Sequence, residues 1–222
     1  SLSGLAGLFL AMHFICFFIA MRFTTVAAGT ALAALQPIFT AIYYKLKGGT
    51  IPRRAWSGMA VAFLSVLLIT GIDFQISLRH FIGDIFALLG AALAAAYMLI
   101  GSRAQQKIST STYTTVCYLT CALSALIITI ATGNQFLHFE ARQWWLVLAL
   151  ILGAQFLGHT MFNMALRRVS PVVVALIVFF EVPVSAVIAY FWLGQVPPTG
   201  IIPGIIGLLI GCGIFVSRAK VE

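Results

Sequence analysis

Long apolar runs separated by short polar segments make up almost the whole chain. Each run is close to the roughly 20 residues that an α-helix needs to cross a lipid bilayer. The runs lack the apolar/polar alternation of membrane barrel strands, and a helix satisfies its backbone hydrogen bonds internally, as hydrocarbon requires. The pattern predicts about eight transmembrane helices, near residues 2–21, 26–44, 55–72, 83–102, 112–131, 144–165, 171–193 and 199–217.

The composition agrees with a membrane protein. Of the 222 residues, 62% are hydrophobic and 8% are charged, whereas about a quarter of the residues in soluble domains are charged. We therefore expect an all-α membrane protein in which residues 1–222 form a single transmembrane domain. We expect no cofactor and no metal, because the cysteines lie inside apolar runs and have no metal-ligand spacing. These cysteines are Cys16, Cys117, Cys121 and Cys212.

The 13 Lys and Arg residues give a formal net charge of +8. They are scattered and form no basic stripe, which excludes nucleic acid as a partner. Ten fall on one side of the predicted layout: Lys45, Lys47, Arg53, Arg54, Arg103, Lys107, Arg167, Arg168, Arg218 and Lys220. The other side has Arg22, Arg79 and Arg142. Because cytoplasmic loops retain positive charge, we expect both termini in the cytoplasm and the protein in a bacterial inner membrane.

A shift of 146 residues superposes the start of the chain on its last third without a gap. Matched Leu or Ala would mean little in so apolar a chain, but matched His, Arg and Pro in one register indicate duplication. The clearest matches are Gly7 with Gly153, His13 with His159, Arg22 with Arg168, Pro37 with Pro183 and Gly48 with Gly194. The repeat relates spans 1–3 to spans 6–8, five crossings apart, so the copies have opposite orientations. Inverted-topology repeats are typical of secondary transporters.

Two Arg-bearing junctions resemble the EamA-type members of the drug/metabolite transporter superfamily: MRFTTVAAGTALAALQPIFTAIYY and LRRVSPVVVALIVFFEVPVSAVIAYFWLGQ. Those proteins have ten helices in two inverted halves. The resemblance implies that residues 1–72 form a partial first repeat, equivalent to family helices 3–5, and that residues 83–217 form the second, helices 6–10. It also implies that the first two helices are missing. The Gly-Glu pair that often ends the fourth and ninth helices is replaced by Gly48-Gly49 and Gly194-Gln195.

This resemblance implies a secondary transporter, in particular an exporter, of a small metabolite or drug-like solute. Transport would be driven by a gradient and would use a central cavity near the bilayer midplane. The expected partners are the lipid bilayer and the small-molecule substrate, and a homodimer is left open.

Glu181 is the acid that the sequence places deep in the membrane. It follows the start of span 7 at Pro171 by ten residues, which is about 15 Å of helix in a hydrocarbon core about 30 Å thick. Such a carboxyl usually marks a substrate or proton path, although a protonated Glu bonded between helices is the alternative. Pro183 removes a backbone donor beside it and loosens the helix.

Span 6 carries three polar residues at intervals of four, which place them on one face of a helix: Gln155, His159 and Asn163. We expect this face to point into the bundle, as interhelical contacts or as a cavity wall. His13, the repeat partner of His159, fits either packing or substrate contact. Gln36, just before the helix-breaking Pro37, is expected to line the opposite side of the cavity.

Two other functions are open at this point. An intramembrane enzyme could use His159 and Glu181 as acid and base, but the sequence has no serine elbow, two-His metal motif or paired carboxylates. A truncated, non-transporting paralogue could serve as a partner subunit. Without a Gly-rich phosphate loop, nucleotide hydrolysis is not expected to drive transport.

Overall fold

A computed structural model describes residues 1–51, 53–133, 139–169, 171–196 and 199–218. These ranges contain helices and turns and no strand. The α-helices are α1 Leu2–Phe23, α2 Val26–Ala33, α3 Gln36–Leu46, α4 Arg53–Ile76, α5 Leu78–Gln105, α6 Thr110–Ala131, α7 Ala141–Leu150, α8 Met161–Ala165, α9 Pro171–Ile177, α10 Glu181–Leu193 and α11 Ile202–Arg218. A π-helical segment covers Ile151–Thr160, and 3₁₀ turns cover Val178–Phe180 and Thr199–Ile201. Lys220 lies outside the described residues.

The predicted all-α membrane architecture is confirmed. Within the described ranges, helices long and apolar enough to cross a bilayer are Leu2–Phe23, Val26–Leu46, Leu78–Gln105, Thr110–Ala131 and Ala141–Ala165. Shorter apolar helices lie in the other three predicted spans, at Ala55–Leu68, Glu181–Leu193 and Ile202–Gly211. Each of the eight apolar runs in the sequence therefore contains an apolar helix.

Side-chain caps fix where several spans begin. Thr25 precedes α2 and accepts a hydrogen bond from the Ala28 amide at 3.2 Å. Ser109 does the same for α6, and Glu140 and Gln143 form a reciprocal capping box at the start of α7. Each cap satisfies amides that the first helical turn leaves without a partner.

The chain divides into two compact units, which are described separately. The first unit comprises Ser1–Ala11 and Ala96–Pro171. In it, Gly7 of α1 faces the backbone carbonyl of Cys117 in α6, so closely that an added Cβ would overlap the oxygen. Cys117 and Cys121 are buried on the same face of α6. Close backbone approach at glycine is the usual way in which membrane helices pack.

The second unit comprises Met12–Ala95 and Val172–Glu222. Its core is formed mainly by alanines from several helices. The core also contains larger side chains, including Leu35, Val66, Val182 and Leu208. Small residues allow helix axes to approach closely, and in a lipid environment this packing replaces the hydrophobic driving force of soluble cores.

Two antiparallel helix pairs organise the second unit. In the pair α4 and α11, Ser65 lies beside Gly207, while a Cβ on Gly211 would meet the Ala62 amide nitrogen at 2.6 Å. As residue numbers rise along α4 they fall along α11, so the helices run in opposite directions. In the pair α2 and α10, Thr30 Oγ1 lies 2.9 Å from Ser185 Oγ, and the amide of Val26 donates to Oε1 of Gln195, just after α10, at 3.4 Å. This pair is therefore antiparallel as well.

These pairs join segments that the 146-residue repeat makes equivalent. The repeat relates span 2 to span 7 and span 3 to span 8, and an inverted repeat gives equivalent helices opposite directions. The arrangement inside this unit therefore agrees with the duplication inferred from the sequence.

Spans 2 and 7 are also interrupted at equivalent places. Regular α-helix stops at Ala34–Leu35 in span 2 and at Val178–Phe180 in span 7. In an unbroken helix Pro37 and Pro183 would have to donate to carbonyls four residues earlier, and proline has no amide hydrogen. The helix restarts so that each proline lies in the first turn of the new segment, where it is tolerated.

Candidate functional site

The predicted site residues fall into two groups, one in each unit. Gln155, His159 and Asn163 belong to the first unit. His13, Gln36 and Glu181 belong to the second.

Asn163 is the centre of a polar cluster in the first unit. Its side chain is fully buried, and its Nδ2 lies within hydrogen-bonding distance of the Tyr97 hydroxyl of α5, of the Tyr118 hydroxyl of α6 at 2.9 Å and of the His159 carbonyl at 2.8 Å. Its two hydrogens can be shared among these three acceptors. Tyr97 is also buried, and its ring centroid lies 5.9 Å from that of His159. The cluster therefore joins two predicted site residues and two tyrosines.

The Asn163 amide has one unused acceptor. A backbone carbonyl only accepts hydrogen bonds, so the Asn163 atom facing the His159 carbonyl must be the nitrogen. Asn163 Oδ1 is then buried without a hydrogen-bond partner among the described residues. This oxygen can accept a hydrogen bond from a further donor. The donor can be an N–H or O–H of a ligand or a water molecule.

Gln155 and His159 lie in the π-helical segment, where the sequence predicted regular α-helix. Thr160 Oγ1 donates to the Gln155 carbonyl, five residues earlier, at 3.1 Å. Gly153 and Gly158 lower the cost of the unusual backbone because glycine weakens the preference for α-helix. Gln155 and His159 are both half-buried. π-Helical turns often occur at functional sites.

In the second unit, His13 is held by a specific contact. Its Nδ1 lies 2.9 Å from the Gly90 carbonyl oxygen, so Nδ1 carries the hydrogen of this bond. The ring also stacks near Phe17, with centroids 6.1 Å apart. A Cβ added at Gly90 would meet the His13 carbonyl oxygen at an ordinary 3.6 Å, so α5 lies against α1 at this point without a close backbone contact. These contacts agree with the packing alternative for His13.

Gln36 and Glu181 occupy similar places in the two broken spans but have different environments. Gln36 begins α3 and is buried. Glu181 begins α10 and is exposed, and it makes no hydrogen bond or ion pair with a described residue. A carboxylate at this end of a helix is favoured by the helix dipole.

Sequence reasoning missed three polar groups. Tyr97 and Tyr118 stand alone in apolar runs, and only their position relative to Asn163 reveals their role. Asp84 lies at the edge of the predicted span 83–102, but α5 begins at Leu78 and the Asp84 side chain is 5% exposed. Among the described residues, no three His, Cys, Asp or Glu side chains are grouped as metal ligands would be.

Comparison with known proteins identifies the family of the chain. The sequence profile of the EamA-like transporter family matches residues 81–217. The chain belongs to this family. The pseudopaline exporter CntI of two Pseudomonas aeruginosa strains is 25% identical over 217 residues, covering 96% of this chain and 74% of the exporter. An uncharacterized transporter of Archaeoglobus fulgidus is 23% identical over 207 residues, covering 91% and 70% of the two chains.

The EamA-type fold is also found in a solved structure. A crystal structure described only as that of a protein superposes with a TM-score of 0.71, covers 99% of this chain and 76% of that one, and is 18% identical. At this identity the match supports the fold alone. Membership of the EamA-like transporter family favours transport over the enzymatic alternative and confirms the membrane assignment.

Proposed function

We propose that this EamA-like protein is a secondary exporter of a small polar metabolite. Its family and its similarity to an exporter support this function. The observation that carries the proposal is the Asn163 cluster, because it offers a buried amide oxygen without a donor. Two tyrosine hydroxyls beside the amide can both donate and accept.

The cluster favours a substrate recognised by neutral hydrogen bonds. The groups around Asn163 are an amide, two phenols and a backbone carbonyl. Neutral partners hold a ligand less tightly than a buried ion pair, and a transporter must release what it binds. A substrate N–H or O–H donating to Asn163 Oδ1 would complete the hydrogen bonding of the amide. Pseudopaline is the first compound to test, because the relative CntI exports it.

Glu181 is proposed to couple transport to a proton gradient. It is the first residue of α10, next to the break in span 7, and an acid at membrane depth is usually functional. The carboxyl can take up a proton when its surroundings become apolar and release it when they become aqueous. The proline-induced breaks in spans 2 and 7 provide places where these helices can bend.

The proposed orientation has both termini in the cytoplasm of a bacterium. The asymmetric distribution of Lys and Arg supports it. Single cysteines introduced at Lys47 or Lys107 should react only with reagents that enter the cell, whereas cysteines at Arg79 or Glu140 should react from outside. All four side chains are exposed, so burial would not hide them. Reversed labelling would contradict the orientation.

Transport is tested with the purified chain in proteoliposomes. Labelled pseudopaline on one side and an imposed pH gradient should give accumulation that an uncoupler abolishes, with the compound recovered chemically unchanged. A modified product would support the enzymatic alternative. Absence of movement for pseudopaline and for a panel of polar metabolites, in protein that is folded and inserted, would support the partner-subunit alternative.

A further inference from the structure

A cavity of ≈ 610 Å³ lies in the first unit, where α8 ends and α6 begins. Its wall is formed by Thr110, Met164, Ala165, Arg167 and Arg168. Both arginine side chains are exposed, and neither makes an ion pair with a described residue. The proposed export function uses neither of them.

We propose that this cavity binds the phosphate group of an anionic phospholipid. Each guanidinium presents a planar set of N–H donors that matches phosphate oxygens, and two adjacent arginines can hold one phosphate. Thr110 is the first residue of the 22-residue helix α6. The start of a helix directs free amide hydrogens and a positive dipole toward such an anion.

Thr110 connects the cavity wall to a buried amide side chain. Thr110 Oγ1 donates to Gln105 Oε1 at 2.8 Å. The other amide atom, Gln105 Nε2, is buried and has no hydrogen-bond partner among the described residues. Gln105 is not part of the cavity wall, so the charged donors available to a ligand there are the two guanidinium groups, and a phosphate supplies acceptors for them.

The apolar part of the wall favours a lipid over a free phosphate compound. Met164 is 52% exposed and, with Ala165, provides a surface for the first part of an acyl chain. The arginines also lie on the predicted positive side, at the end of a predicted span. Basic pockets between membrane helices on the cytoplasmic side are suited to anionic headgroups.

Lipid binding is tested on the purified full chain in neutral detergent. Phosphatidylglycerol should raise the unfolding temperature and remain bound in native mass spectrometry, whereas phosphatidylcholine should do neither. The double variant Arg167→Ala/Arg168→Ala should bind phosphatidylglycerol roughly 30-fold more weakly, as expected for two interfacial charges. The variant Arg167→Lys/Arg168→Lys retains the charge and should keep part of the binding, which separates charge loss from misfolding.

The variant Lys45→Gln/Lys47→Gln is the matched control, since it removes the same charge on the same predicted side but outside the cavity. It should bind phosphatidylglycerol like the unmodified chain. An equal loss in this control would overturn the site in favour of general attraction. Equal stabilisation by phosphatidylcholine would also overturn it. Glycerol 1-phosphate tests the source of the phosphate, and equal stabilisation at the same phosphate concentration would overturn the lipid assignment.

Discussion

Thr30 Oγ1 and Ser185 Oγ lie 2.9 Å apart and connect α2 to α10. Both hydroxyls also bond within their own helices, Thr30 to the Val26 carbonyl at 2.7 Å and Ser185 to the Val182 carbonyl at 2.9 Å. The contact therefore contributes little to stability, but it shows which faces of α2 and α10 meet. It joins span 2 to its repeat equivalent, span 7, in antiparallel orientation.

Cross-linking tests this pairing directly. In a background without native cysteines, Thr30→Cys/Ser185→Cys should form a disulfide on mild oxidation in membranes, because the two side chains already touch. Thr40→Cys/Ser185→Cys is the control, since Thr40 lies ten residues further along span 2, about 15 Å of helix. Cross-linking of the control alone would contradict the contact between Thr30 and Ser185.

Gly7 provides a test of the first unit. A Cβ on Gly7 would overlap the Cys117 carbonyl, whereas a Cβ on Gly4 would meet Ser1 Oγ at an ordinary 3.5 Å. Gly7→Ala should therefore destabilise the protein by about 1–3 kcal/mol through overpacking. Gly4→Ala should be neutral or stabilising by about 0.5–1 kcal/mol, because alanine favours helix. Thermal unfolding in detergent measures both, and similar effects of the two changes would contradict the close contact.

The helices were predictable because each span is encoded by its own residues. Twenty consecutive apolar residues specify a crossing wherever the rest of the chain lies, and Pro37 and Pro183 marked the two breaks. The π-helical segment was not predictable, since it depends on a local choice of backbone bonding at Ile151–Thr160. The spacing of Gln155, His159 and Asn163 predicted that they share a helix face, but Tyr97 and Tyr118 come from other helices and show no pattern of their own.

Asn163 should matter for both stability and transport. Asn163→Ala removes the donor shared by Tyr97, Tyr118 and the His159 carbonyl, and we expect a loss of about 1–3 kcal/mol of unfolding free energy. Tyr97→Phe removes one of these partners and should cost less. In proteoliposomes, Asn163→Ala should raise the substrate concentration for half-maximal transport about tenfold, equivalent to one lost hydrogen bond of about 1.4 kcal/mol. Unchanged transport in stable Asn163→Ala protein would exclude the cluster as the binding site.

Pro183 should influence transport through the break in span 7. Pro183→Ala restores an amide that can donate to the Phe179 carbonyl, which favours continuous helix by about 1 kcal/mol. If bending at the break accompanies transport, the rate should fall about fivefold at equal abundance in the membrane. Pro203→Ala is the control, because Pro203 lies in the first turn of α11 and is exposed. Equal rates for the two variants would exclude a role for the break.

Glu181 is the sharpest test of coupling. Glu181 is the first residue of α10, beside the break, and its carboxyl has no hydrogen bond or ion pair with a described residue. Replacing it should therefore leave packing unchanged. Glu181→Gln keeps the shape and hydrogen bonding of the side chain but cannot carry a proton. We expect normal insertion and unfolding temperature, retained exchange of substrate down its own gradient, and loss of accumulation driven by a pH gradient.

The matched control is Glu140→Gln, because Glu140 is exposed and lies in the loop before α7. It removes the same charge outside the spans and should accumulate substrate normally. Glu181→Asp keeps an ionisable carboxyl one methylene shorter and should retain part of the coupling. Together the three variants distinguish the loss of a titratable group from a change in side-chain shape and from a change in net charge. Only Glu181→Gln removes a titratable group at membrane depth. Full pH-driven accumulation by Glu181→Gln would show that another group couples transport, and the buried Asp84 of α5 would then be the next acid to test.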